Sequence, residues 1–219
     1  MNLTKLVQAI LSRARERGGY VNKTKLVKYL YLFDVAAVRR RGHTLTGFAW
    51  IFFHYGPWTP EFEDLYKDLR TSGTITIRPS DRADFDTEFL SAPVQVELDE
   101  IIDDPTLEFT LKHIIDEWAD VRLGEMLDFV YFHTEPMLNA SRGERLDFDT
   151  VRGTPPPVSA DELRSGRGGD TRAIDQMRRR ISQRLTRTVK APSPHRHTPA
   201  RRDADYFEAE RIVSEDDGY

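Results

Sequence analysis

Apolar residues return every three to four positions at Leu3, Leu6, Val7, Ile10, Leu11 and Ala14. That spacing predicts a helix, which Gly18 and Gly19 stop. A second helix is expected to start near Asn22, a suitable cap residue, and to run to Arg39-Arg40-Arg41 before Gly42. Over positions 26–38 it is apolar almost all round, interrupted only by Lys28 and Asp34, the pattern of a helix at the buried centre of its domain. Residues 48–55, Phe-Ala-Trp-Ile-Phe-Phe-His-Tyr, lie between Gly47 and Gly56 and predict a strand. Gly56-Pro57 is expected to turn the chain into a helix capped by Thr59. Pro60 takes its first position, acidic residues fill its first turn, and Phe62, Leu65, Tyr66 and Leu69 form its apolar face. Gly73 ends it, and alternation at 74–78 and again at Phe85, Thr87 and Phe89 predicts a small antiparallel hairpin.

Three further helices follow in the pattern. The first uses Val94, Leu98, Ile101 and Ile102, the second starts at Asp104-Pro105 and uses Leu107, Leu111, Ile114, Ile115 and Trp118, and the third uses Leu123, Met126, Leu127 and Val130. Pro136 breaks the run, and residues 145–151 are expected to return to the body as an extended strand. From Gly153 the composition changes: Pro155-Pro156-Pro157 and three glycines at 166, 168 and 169 mark a linker. The fold class expected is α+β, a mainly α-helical domain over residues 1–152 with a small antiparallel sheet. Behind it comes a charged, largely disordered tail over 153–219, whose few hydrophobes cannot offset the entropy of ordering it. Segments 171–189 and 205–213 are helical candidates that would fold on a partner.

Charge sharpens that division. Residues 1–152 carry 19 Lys and Arg against 25 Asp and Glu, residues 164–202 carry 12 against 2, and residues 203–219 carry 1 against 7. A net charge of −4 over 219 residues therefore averages opposed blocks. The chain has no cysteine, which excludes a disulfide scaffold, a Cys-ligated metal and a thiol nucleophile. No run approaches the roughly 18 apolar residues of a membrane span, and the first residues lead into an amphipathic helix. A soluble, cytoplasmic protein without a membrane contact is the expectation.

The search for catalytic chemistry returns little. A phosphate loop, a His-Glu-x-x-His pair, a Gly-x-Ser-x-Gly elbow and a calcium loop are all missing from the sequence. His113 and Glu117 are four apart on one predicted helix, and His54 and His133 would have to join them to make a metal site; solvent-facing or capping roles are the simpler expectation, so neither a catalytic set nor a metal or other cofactor is assigned. Asp34 calls for a partner, because a buried unpaired carboxylate is costly. Lys28, one of Arg39 to Arg41, a tyrosine hydroxyl and the backbone of the aromatic strand are the candidates. It serves either as a structural anchor or as a contact to a macromolecule. The run of Glu97, Asp99, Glu100, Asp103 and Asp104 reads as a solvated face or as a dock for a basic partner. Tyr55-Gly56-Pro57-Trp58 is either a rigid packed turn or, since Trp and Tyr are favoured at interaction hot spots, part of an interface.

Three stretches together resemble a known family. Thr24-Lys25-Leu26-Val27-Lys28-Tyr29-Leu30-Tyr31-Leu32-Phe33-Asp34, then Gly47 and Trp50, then Tyr55-Gly56-Pro57-Trp58-Thr59-Pro60-Glu61-Phe62, are similar to the Panacea domain, the SocA-like or GepA-type antitoxin domain. Phe132-His133-Thr134-Glu135-Pro136-Met137 stands where that family has Thr-His-x-x-x-Pro-Trp, departing at Phe132 and Met137. The resemblance covers about residues 3–151. It implies a non-enzymatic antitoxin of a bacterial or prophage toxin–antitoxin system that binds a cognate toxin encoded beside it, with a further role as adaptor to a AAA+ protease. Asp34, Trp50, Tyr55, Gly56, Pro57, Trp58 and His133 are the partner-binding candidates. The alternative function is DNA-binding regulation, through a winged-helix reading of the Thr59 helix and its hairpin or through nucleic-acid contact of the basic segment 164–202. The acidic residues of that helix argue against the first route.

Overall fold

Asparagine opens both of the first two helices. Asn2 accepts from the Lys5 amide and Asn22 from the Lys25 amide, each with extended backbone at the cap. The helices that follow are α1 (Leu3–Glu16) and α2 (Lys23–Arg41). α1 buries one stripe, Leu6, Val7, Ile10, Leu11 and Ala14, whereas α2 buries every residue from Lys25 to Ala37 and so forms the axis on which the other elements pack. Gly42 ends α2 at φ 79°, a left-handed angle that its missing Cβ permits, and its N–H returns to the Val38 carbonyl. The computed structural model describes residues 1–54, 56–79, 88–151 and Phe207.

The aromatic stretch departs from expectation in an informative way. Only β1 (Ile51–Phe53) is strand, and Gly56-Pro57-Trp58 is itself a second strand, β2 (Gly56–Trp58), antiparallel to it. Ile51 stands opposite Trp58, Phe52 opposite Pro57 and Phe53 opposite Gly56. β1 has a neighbour on its other edge too: Gly143 donates to the Phe52 carbonyl, Phe52 to Glu144 and Leu146 to Trp50. The strand expected over 145–151 is thus one bridge, Ile51 with Arg145, followed by a 3-10 turn at Phe148–Thr150. It does return the chain to the body.

α3 (Pro60–Thr71) begins after Thr59 with Pro60 in its first turn, as the sequence predicts. Thr59 is fully buried, and its hydroxyl goes to the Glu61 carboxylate instead of a backbone N–H. β3 (Thr76–Pro79) pairs antiparallel with β4 (Glu88–Ser91), and Asn22 bridges to Phe89. Phe85 and Thr87, expected on the return strand, lie outside the described residues. The two hairpins are separate sheets, so the single sheet expected is two two-stranded ones among the described residues.

The helix expected from Val94 to Ile102 shrinks to one 3-10 turn, Leu98–Glu100. Glu97 and Glu100 form a reciprocal capping box around it. Pro105 then holds Asp104 in extended backbone, where its carboxylate caps the next helix through the Thr106 and Leu107 amides. That helix is α4 (Pro105–Trp118), followed by α5 (Leu123–His133) and, past a break at Thr134, the short α6 (Glu135–Leu138), in whose first turn Pro136 sits instead of ending the run. The fold is α+β and mainly helical. The segments 171–189 and 205–213, Phe207 apart, and the basic block 164–202 lie outside the described residues, as does most of the division at 152.

Candidate functional site: the β1–β2 hairpin and its supports

Alternation along β1 sets the site. Phe52 points inward and is buried, edge-on to Tyr131 of α5 at 5.4 Å between centroids, and Phe53 next to it is 44% exposed. The Phe53 ring lies 4.4 Å from that of His54 and 5.1 Å from that of Trp58 across the hairpin. Trp58 is half-buried and donates its indole N–H to Glu63, which also pairs with Lys23 at 2.6 Å. Three rings therefore cluster at one solvent-facing end of β1–β2.

The hairpin is held by side chains from two helices and one loop. Lys28 of α2, 2% exposed, donates from Nζ to the Pro57 carbonyl at 3.0 Å. Tyr131 of α5 and Arg142 both donate to the His54 carbonyl, at 3.1 and 2.7 Å. Gly56 is required by space as well as by its φ of +90°, since a Cβ there would stand 2.8 Å from the Tyr131 ring. Of the predicted site residues, Gly56, Pro57 and Trp58 thus share one strand. Tyr55 lies outside the described residues.

Asp34 and Trp50 come together, but inside the protein. They are 0% and 1% exposed, and the indole N–H donates to the carboxylate at 2.7 Å. Asp34 also accepts the Leu45 and Thr46 amides, at 2.6 and 2.8 Å, and the Thr46 hydroxyl. None of the basic candidates reaches it: Lys28 binds Pro57, Arg39 binds Glu135 and Arg40 binds Asp104. Burial raises the Asp34 pKa in spite of the four donors. Both residues are buried and support the start of the aromatic stretch. His133 is exposed at the end of α5, where its ring stacks on Phe129 at 5.6 Å.

Tyr31 ties this corner together. Its hydroxyl meets the Thr134 hydroxyl at 2.8 Å, and Thr134 in turn donates to the Val130 carbonyl. Arg39 grips both carboxylate oxygens of Glu135. The family model described as "Antitoxin SocA-like, Panacea domain" matches residues 26–135, half of the chain, from within α2 to the start of α6. The chain belongs to that family. No curated protein and no solved structure matches it.

The matched part of the Panacea domain contains Lys28, Asp34, both strands of the hairpin and Tyr131. Arg142 and the segment that pairs with β1 follow it, and α1 precedes it. Sequence reasoning missed Phe53, Tyr131 and Arg142. Phe53 had a usable signal, because a strand that buries Phe52 must turn Phe53 out; Tyr131 and Arg142 act through a carbonyl that no sequence pattern marks. His54, His113, Glu117 and His133 form no cluster of three or more possible metal ligands among the described residues. Among the same residues, no helix is long and apolar enough to cross a membrane.

Proposed function

We propose that this Panacea domain is an antitoxin that neutralises a cognate toxin, the product of an adjacent gene, by direct binding in the cytoplasm without catalysis. The observation that carries the reading is the solvent-facing ring cluster of Phe53, His54 and Trp58 on a hairpin pinned through two of its carbonyls. Exposed aromatics on an already ordered support lose little entropy on association, and such residues dominate interface energetics. Delivery of the captured toxin to a AAA+ protease would be a later use of the same complex. The winged-helix reading finds no support in α3, whose exposed side carries Glu61, Asp64 and Asp68 against Lys67 and Arg70.

The decisive experiment is co-expression with the adjacent gene product, followed by sizing chromatography. Rescue of growth and a co-eluting complex are expected. Phe53→Ala should weaken the purified complex about tenfold or more, with Trp58→Ala in the same direction. Melting curves on both variants separate lost contact from lost folding. No complex between the wild-type chains would sink the reading.

A further inference from the structure

Lys28 stands out in the molecule because it is buried with so little to answer its charge. An ammonium has three N–H groups, and among the described residues Lys28 meets one protein acceptor, the Pro57 carbonyl. Proline has no N–H, so that carbonyl is the one backbone hydrogen-bonding group Pro57 owns. It also belongs to the planar peptide unit that ends in the Trp58 amide. Holding the oxygen fixes the plane from which Trp58 departs, and Trp58 is the ring that Phe53 packs against.

We propose that Lys28 is a positioning residue for the Phe53–Trp58 pair, acting through the Pro57 carbonyl, and that partner contact at the hairpin responds to the proton on its Nζ. The partner half of this rests on the hairpin being the toxin-binding surface. Burial lowers the Lys28 pKa to about 7, within reach of ordinary cellular conditions. A charge-assisted hydrogen bond is about twice as strong as a neutral one, so losing the proton loosens the hold on Pro57 without abolishing it.

Among the described residues no neighbouring carboxylate answers the charge. Asp34 is closed around by Leu45, Thr46 and Trp50, Asp116 of α4 by Arg13 and Arg17, Glu63 of α3 by Lys23 and Trp58, and Glu88 of β4 by Tyr66. β2 itself has no titratable side chain. On α5, Tyr131 donates to His54, Asp128 is half-buried and engaged elsewhere, and Glu125 and His133 are exposed. On α2, Lys25 is engaged with the Ala119 and Val121 carbonyls.

The test uses the full chain, first without a partner. In chains that carry His54→Asn, which removes the imidazole from the ring cluster, the Trp58 backbone amide nitrogen, followed by NMR across pH, should show one titration step near 7 with Lys28 present and none in Lys28→Met. A Trp58 amide that stays flat with Lys28 present, or one that moves identically without it, overturns the positioning role. In the second arm, affinity for the adjacent gene product should fall roughly threefold to tenfold as pH rises through the step, and Lys28→Met should be weak on both sides of it. If Phe53→Ala binds as tightly as wild type, the hairpin is not the contact surface and the partner half falls, while the Trp58 titration decides the positioning half separately.

Discussion

The two ends of α2 bury charge in opposite ways. At its C-terminal half Asp34 is surrounded by four donors, so every strong acceptor position of its carboxylate is used. At its N-terminal half two lysines sit one turn apart. Lys25 spans to the Ala119 and Val121 carbonyls and lies 4.7 Å from the Tyr20 ring centre, and Lys28 has the Pro57 carbonyl. The difference is in how completely each charge is satisfied. Asp34 and Lys25 fasten loops whose backbone groups would otherwise be buried unpaired, a structural demand that tolerates no loss. Lys28 is under-satisfied and holds the hairpin that carries the ring cluster, where the proposed role would make use of a weaker hold.

The largest effect is expected from removing the best-satisfied group. Asp34→Ala strands the buried Leu45 amide and Trp50 indole N–H and the part-buried Thr46 amide, at a cost of roughly 3–5 kcal/mol. Urea denaturation would measure it as a lower midpoint with little change in slope. A loss under about 1 kcal/mol would mean that the loop at 45–46 relaxes to solvent and that Asp34 is no anchor.

Lys25→Met comes next, at roughly 2–3 kcal/mol, because it leaves two carbonyls of the α4–α5 loop unpaired. That loop also presses on the start of the molecule: a Cβ on Gly19 would stand 2.0 Å from the Ala119 carbonyl oxygen. Hydrogen exchange at residues 119–122 should accelerate in Lys25→Met more than exchange in the β1–β2 hairpin. Equal acceleration in both would show that Lys25 and Lys28 support one unit, and the contrast between them would disappear.

Much of this was legible from residue order, and the limits have physical causes. The helix starts at Asn22, Thr59-Pro60 and Asp104-Pro105 and the all-round apolar α2 are local signals, and each landed within a residue or two of its element, although Thr59 caps no backbone N–H. The Panacea resemblance was legible too, because its residues sit on α2 and β2, where backbone demands are strict. Gly56-Pro57 misled, since the same glycine that permits a turn also permits a strand at φ +90° packed on Tyr131. The roles of Lys28 and Asp34 depend on partners 29 and 11 to 16 positions away, and no periodicity reports such pairings. A charged residue inside an apolar helix says only that a partner exists.

The smallest expected effect is the one that separates the two ends of α2 most cleanly. Burial lowers the Lys28 pKa to about 7, while the unfolded chain keeps its proton to the ordinary lysine value of 10.5. Between those values the unfolded state binds more protons, so this group makes stability rise with pH there, and below about 7 its burial penalty is present in full. Comparison with Lys28→Met isolates that contribution, because all other titrating groups are common to both chains. Wild type should gain roughly 2 kcal/mol relative to the variant from about pH 7 to about pH 9, read from urea midpoints. Asp34 cannot imitate this: its pKa is raised from the carboxylate side, so its contribution to stability falls as pH rises through its folded-state value. A gain of the predicted sign that vanishes in Lys28→Met therefore belongs to the lysine under the hairpin. Parallel curves for the two proteins would place Lys28 with Lys25 and Asp34, as one more structural fastening.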